Sequence, residues 1–343
     1  MTLHQSEKTE LQFIHILKCL AVVLILYDHI VPGSYYMAGI QPPVTIVDEY
    51  IIWPLAITNY FGAFGVDIFF LISGFAILHS VQKRENIGMF LLRRIVRILP
   101  PLIFGFGLFI LFSILLKLCL QINITTTISE YIGINGALWT LKVEICFYLL
   151  FAMLLPVFRR NKIYGTFFLL VVTTFVCQTG AAYPSLFKLG QIVSYIFYIL
   201  AGMVIYLIWS GCCKMGYALI LGGSIWFGII YYNIRIFNPE RYHTENSFGV
   251  SVMYAILIFL VFLLAEDHLK YHTLIKTVAQ YSFGLYLHHM PCHALLFLFL
   301  RENMYMLMIS TLGLSVLVAY IQVHFIERPS SKFLKMVNRK VQT

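Results

Sequence analysis

The stretch ALWTLKVEICFYLLFAMLLP, residues 137–156, places Lys142 and Glu144 inside a run otherwise fit for the interior of a bilayer. A spanning helix needs about 20 mostly apolar residues, and this run supplies them. The two charges stand two positions apart, so on a helix they point to different faces and form no simple intrahelical pair. Glu144 lies about a third of the way in, at a depth where a carboxylate must be paired, protonated or hydrated. The segment reads as a membrane helix whose Glu144 face looks inward, at another helix or at a substrate.

The remainder of the chain repeats this pattern. Of 343 residues, 60% are hydrophobic and 11% charged, and the mean hydropathy is +0.84. A soluble domain carries roughly 25% charged residues, and water could not hold this much apolar surface. Nine further apolar runs of spanning length occur near 11–31, 61–79, 99–119, 163–179, 191–210, 216–234, 249–265, 281–300 and 304–325. The fifth run in chain order, 163–179, is short, and the ninth, 281–300, is interrupted by histidines and Pro291. The expected fold is an all-α integral membrane protein, a ten-transmembrane-helix bundle forming one membrane domain over residues 1–343. No internal repeat or soluble domain is visible, and the longest connection, roughly 32–60, is rich in Pro, Tyr and Gly. The first run carries Lys18 and His29 and lacks a small-residue cleavage site, so it reads as a retained span rather than a signal peptide. The seven cysteines are odd in number, lie mostly within apolar runs and show no metal or disulfide spacing.

Loop charge sets the orientation. With the N-terminus inside, the inner segments collect most of the basic residues, among them Lys8, Lys83, Arg84, Arg93, Arg94, Arg97, Arg159, Arg160 and Lys162. The outer segments hold Lys188, Arg235, Arg241 and Arg301. Both termini are therefore expected in the cytoplasm. The net charge of +9 is mostly this asymmetry, so no nucleic-acid partner is needed to explain it.

Ionisable residues within spans are costly and mark functional positions. Lys18 and His29 stand eleven residues apart, which at 100° and 1.5 Å per residue is about 20° from three whole turns and a rise of about 16 Å. They share one helix face, which His15 borders, although snorkelling would explain the lysine alone and an interfacial position the histidine alone. Asp67, in GAFGVDIFFLISGF (62–75), lies at a depth similar to His29, and a carboxylate there can fix an imidazole tautomer. In RRIVRILPP (93–101), Arg94 and Arg97 share a helix face and suit phosphate oxygens, while the positive-inside rule alone also places arginines there. YSFGLYLHHMPCH (281–293) brings Ser282, Tyr286 and His289 near one another, with His288 and His293 requiring a polar interior. Zinc on His289 and His293 lacks a supporting Cys, Asp or His cluster, so no metal is expected. Near the outer face, Tyr35, Tyr36, Trp53 and Trp139 suit sugar stacking, and equally suit membrane anchoring.

These segments together resemble the acyltransferase family 3 membrane proteins, which include O-acetyltransferases of bacterial surface polysaccharides. The resemblance rests on Lys18 and His29, on Gly65 to Phe75, on Arg94, Arg97 and Pro100, and on Trp139, Thr140, Leu141, Val143, Glu144, Phe147 and Tyr148. Ser282, Tyr286, His289 and Pro291, then IERP at 326–329, complete the order. Phe283 stands where the family commonly has tyrosine and His288 where it has an apolar residue, and residues 1–343 are expected to form a bare core without the hydrolase-like domain fused to longer members.

The resemblance implies an acyltransferase that moves an acyl group, usually acetyl, from cytoplasmic acyl-CoA to a hydroxyl of an extracytoplasmic polysaccharide or lipid-linked glycan. The expected location is the bacterial inner membrane. Lys18, Arg94 and Arg97 are expected to hold the acetyl-CoA donor, a substrate rather than a bound cofactor. His29 acts as general base or as an acyl-imidazole nucleophile. Asp67 or Glu144 orients His29 or binds the sugar, and Trp139, Ser282, Tyr286 and His289 contribute to substrate binding. The partners are then acyl-CoA, a surface glycan or lipid-linked saccharide, and membrane lipids. A glycan exporter is the rival class, and a succinyl donor or a small-molecule acceptor the rival chemistry. Against export, no inverted repeat of broken helices is present.

Overall fold

The computed structural model describes residues 11–46, 48–52, 61–81, 86–121, 131, 133, 135–239, 248–270 and 272–342, and their regular elements are all helical. Lys8, Trp53, Lys83, Arg84 and Arg241 lie outside the described residues. In chain order the helices are α1 (Gln12–Met37), α2 (Phe61–Ser80), α3 (Ile87–Leu120), α4 (Leu138–Arg160), α5 (Lys162–Ala182) and α6 (Phe187–Ser194). They continue as α7 (Ile196–Trp209), α8 (Met215–Gly228), α9 (Phe248–Leu264), α10 (Thr273–Leu300), α11 (Met304–Gln322) and α12 (Arg328–Gln342).

Each of the ten apolar runs falls on helix. Nine helical segments among the described residues are long and apolar enough to cross a membrane, with Pro184–Trp209, spanning α6 and α7, as one of them. The run at 249–265 falls on α9, whose apolar part Val250–Leu264 is shorter. The chain is a multi-pass membrane protein. Two segments are more regular than their sequence suggests. The short fifth run is a 21-residue helix, started by Asn161, whose side chain accepts the Ile163 and Tyr164 N–H groups at 2.8 and 3.2 Å. The ninth continues through Pro291 as a 28-residue helix. The third begins at Ile87 instead of 99, because Asn86 caps it by accepting the Gly88 N–H. Arg93, Arg94 and Arg97 therefore stand on the helix itself.

Helix α1 occupies the middle of the packing, against α2, α10 and α11. The N–H groups of Gln12 and Phe13, which have no partner within the helix, donate to the buried Glu266 carboxylate at 3.0 and 2.8 Å. Phe13 meets Phe75 and Phe259 edge to face, both at 5.4 Å between ring centres, joining α1, α2 and α9. Near the same end of α2, the Lys162 ammonium donates to the Leu78 carbonyl and to the Tyr206 hydroxyl at 2.7 and 3.0 Å. It satisfies a carbonyl at a helix C-terminus, where positive charge is favoured.

Helices α2 and α7 press backbone on backbone, as small residues permit in membrane bundles. A methyl group on Gly74 would collide with the Ile199 carbonyl oxygen, and one on Gly202 with the Leu71 carbonyl oxygen. Overpacking costs about 1–3 kcal/mol when side chains can yield, and a carbonyl cannot. Gly202→Ala is therefore expected to lower the thermal midpoint of the detergent-purified protein by several degrees. Gly222→Ala, with open space around it, is expected to leave the midpoint unchanged.

Candidate functional site

Two neighbouring polar regions lie along α1. The first is a cavity of about 270 Å³ enclosed by α1, α2, α3, α4, α10 and the turn after α11. Its polar lining is His15 and Lys18 from α1, Ser73 from α2, Arg97 from α3, Thr140 and Glu144 from α4, Gln280, Ser282 and Tyr286 from α10, and Glu327. Arg97 is solvent-exposed through this cavity although helices surround it. Glu144 is half-buried and receives weak hydrogen bonds from the Ser73 hydroxyl (3.5 Å) and the Tyr148 hydroxyl (3.4 Å). Lys142 is exposed and does not line the cavity. The two-residue offset thus turns the two charges apart. Arg94 lies behind Arg97, its guanidinium 5.2 Å from the Phe90 ring centre and 5.0 Å from that of Tyr148. Such contacts favour the planar cation over an ammonium.

The second region is built around His29. Its Nδ1 lies 2.7 Å from Nε2 of His289, and the two rings are parallel within 3°. Nδ1 of His289 lies 3.1 Å from the Leu285 carbonyl oxygen. An acceptor there requires a proton on that nitrogen, so in the neutral pair Nε2 of His289 accepts and Nδ1 of His29 donates. His29 Nε2 is left with its lone pair exposed for chemistry. Nearest to it is Asp28, whose Oδ2 is 3.9 Å away. The Asp28 carboxylate accepts the backbone N–H groups of Phe61 and Gly62 at the start of α2. These are donors that a helix N-terminus leaves open. Gly62 allows this approach, since a Cβ there would lie 2.6 Å from Asp28 Oδ2 and 3.2 Å from His29 Nε2. When Nε2 takes a proton, Asp28 stands where a counter-charge is needed.

Tyr286 adjoins both regions. It lines the cavity, and its ring centre is 6.1 Å from that of His289. Its hydroxyl donates to the Ala137 carbonyl at 2.8 Å and lies 2.7 Å from the Thr140 hydroxyl, which fixes α10 against α4.

Lys18 and His29 both face α10, the first through the cavity and the second through His289, as their helical phase predicts. Arg97, Glu144, Lys18, Ser282 and Tyr286 converge on one cavity. Glu144 belongs to that cavity, whereas His289 and Asp28 are the side chains placed at the two nitrogens of His29. Asp67 is buried within α2 at 5% exposure. Trp139 packs against Tyr195, with ring centres 4.6 Å apart, and at 6.1 Å against Phe70, which lines the cavity, so it stands behind the lining and is not part of it. Asp28, Ser73, Tyr148 and Glu327 join the site although they carry no role in the sequence reading, the last three standing there only within the motifs at 65–75, 139–148 and 326–329. Beyond His289, His293 holds the Ser34 hydroxyl at 2.8 Å, and His288 bonds Gln322, whose amide donates to Glu327 at 2.6 Å. Among the described residues no three His, Cys, Asp or Glu side chains gather as a metal site.

A family model described as an acyltransferase domain matches residues 11–323. Nodulation protein 10 of Rhizobium leguminosarum bv. viciae is 32% identical over 130 residues, covering 30% of this chain and 35% of that protein. The match thus spans about a third of the curated relative's length. No solved structure matches.

Proposed function

This chain belongs to the acyltransferase-domain family, and from that membership we propose that it carries an acetyl group from acyl-CoA across the bundle to a hydroxyl of an extracytoplasmic polysaccharide or lipid-linked glycan. In this reading both termini face the cytoplasm of a bacterium and the bundle sits in its inner membrane. The observation that carries it is the division of α1 between two chemistries. Lys18 lines a cavity with Arg97 and Glu144, while His29, eleven residues further along, presents a bare Nε2 beside Asp28.

Arg97 and Lys18 hold the polar groups of the donor, and the carrier's thin arm passes Tyr286 to bring the thioester to His29. Nε2 removes the proton of a sugar hydroxyl as that oxygen attacks the thioester carbonyl. The new C–O bond forms, the C–S bond breaks, and the proton passes from the imidazolium to the departing thiolate. Asp28 offsets the imidazolium charge between these two transfers. An acyl-imidazole on Nε2 uses the same nitrogen and the same donors.

Incubating membranes with radiolabelled acetyl-CoA and glycan fractions tests the reading. Label is expected in the glycan as an alkali-labile ester. A glycan that moves across the membrane chemically unchanged, with acetyl-CoA unconsumed, would establish an exporter instead.

Arg97→Lys separates donor binding from loop topology. An ammonium keeps the charge but not the planar fork that matches phosphate. The expected result is an acyl-CoA KM raised about tenfold, equivalent to about 1.4 kcal/mol, with protein abundance and membrane orientation unchanged. An unaltered acyl-CoA KM would reduce Arg97 to a border charge.

A further inference from the structure

The chain beyond α1 folds back over that helix and closes a separate cavity of about 210 Å³. Tyr27 and Thr45 join hydroxyl to hydroxyl at 3.3 Å, and Asp48 Oδ2 accepts both the N–H and the hydroxyl of Thr45 at 2.7 Å. The walls carry Tyr27, Tyr35 and Tyr36, the carboxylates of Asp28 and Asp48, and the adjoining Pro42 and Pro43, whose φ angles are fixed by their rings. No lysine or arginine lines this cavity among the described residues. Asp28 belongs both to this wall and to the surroundings of His29 Nε2.

We propose that this tyrosine- and carboxylate-lined cavity is a saccharide pocket selective for neutral or amino-bearing sugars and closed to uronates and phosphorylated sugars. A sugar ring has apolar C–H faces and a polar rim of hydroxyls. The tyrosine rings cover such faces, and the carboxylates accept charge-assisted hydrogen bonds from the rim. The Asp48 carboxylate, with no lysine or arginine in the lining among the described residues, repels an anionic ring, and like-charge contact is a strong discriminator. The pocket deepens the acyltransferase reading and rests on it for one step. A hydroxyl held by Asp28 lies within reach of His29 Nε2, since the carboxylate and that nitrogen are 3.9 Å apart.

The test is saturation-transfer NMR on the full chain in nanodiscs with maltotriose, a chitosan trimer and trigalacturonate as probes. Acetyl-CoA consumption is followed in the same preparation. Maltotriose or the chitosan trimer is expected to bind, with trigalacturonate about tenfold weaker or more. Tyr36→Ala, at a side chain 55% exposed and so tolerant of truncation, is expected to weaken sugar binding about tenfold. Asp48→Asn retains an oxygen for Thr45 and is expected to narrow the gap between trigalacturonate and the other probes. Equal binding of all three sugars in every variant, binding of none, or tightest binding of trigalacturonate would overturn the pocket. If the sugars bind as expected while acetyl-CoA is not consumed, the pocket stands and the transferase reading falls. If label enters glycan while the three probes bind alike, the transferase reading stands and the pocket falls.

Discussion

His29→Ala protein is expected to reach the membrane in normal amount and to transfer acyl groups about 10²–10⁴-fold more slowly than wild type, the range that loss of a positioned general base produces. The side chain is one-third exposed and contributes one hydrogen bond to His289, so its removal leaves the packing of α1 intact. What disappears is the one nitrogen whose lone pair the surrounding bonds leave open. His289 does not take its place, because its Nδ1 stays on the Leu285 carbonyl and holds its Nε2 where it met His29 Nδ1, not where His29 Nε2 stood. The measurement is glycan acylation per unit of immunoblotted membrane protein. Wild-type rates in that comparison would remove His29 from the mechanism.

Glu144→Gln is expected to lose about a hundredfold or more in activity while still inserting. The carboxylate shares its cavity with Lys18 and Arg97, and Ser73 and Tyr148 donate to it. Removing the Glu144 charge leaves Glu327 as the remaining carboxylate beside Lys18 and Arg97, and a hundredfold loss corresponds to about 2.7 kcal/mol, at about 1.36 kcal/mol per tenfold in rate. Glutamine keeps the shape, so a loss of activity at matched abundance reports charge and not packing. Lys142→Met is the control. That lysine is exposed and does not line the cavity, and a lysine so placed can snorkel toward the interface. A fully active Glu144→Gln protein, or an inactive Lys142→Met protein, would reverse the assignment of the two residues.

The spans were legible because the bilayer imposes a length, and each of the ten apolar runs became helix. The early start of α3 was not, because residues 87–98 carry three arginines that break the apolar signal without breaking the helix. The face shared by Lys18 and His29 follows from helical phase alone. The residues that serve His29 do not. His289 is 260 positions away, beyond any spacing rule. Asp28 is turned by about 100° from its neighbour on the same helix, and its partners are backbone N–H groups of α2, which leave no mark in side-chain identity. Lys162, read from the sequence as an inner-border charge, also donates to a carbonyl of α2, a contact that only tertiary packing reveals. Trp139 shows the same limit from the other side, since the Tyr195 ring that packs against it lies 56 positions away and leaves no mark in the local sequence.

Pro32, the proline within α1, falls after His29, so the turns from Lys18 to His29 are unbroken helix. That segment is a ruler. With its first turn pinned by Glu266 and its flank by α2, it sets a length of about 16 Å that neither end can adjust. If the donor is gripped at one mark as proposed, it is gauged by the reach of its carrier arm, and the size of the cargo at its tip does not enter that measurement. Thioesters with a truncated arm should fall short whatever acyl group they bear, whereas acyl groups of different length on the natural arm arrive at the same mark and are sorted only by the room beside His29.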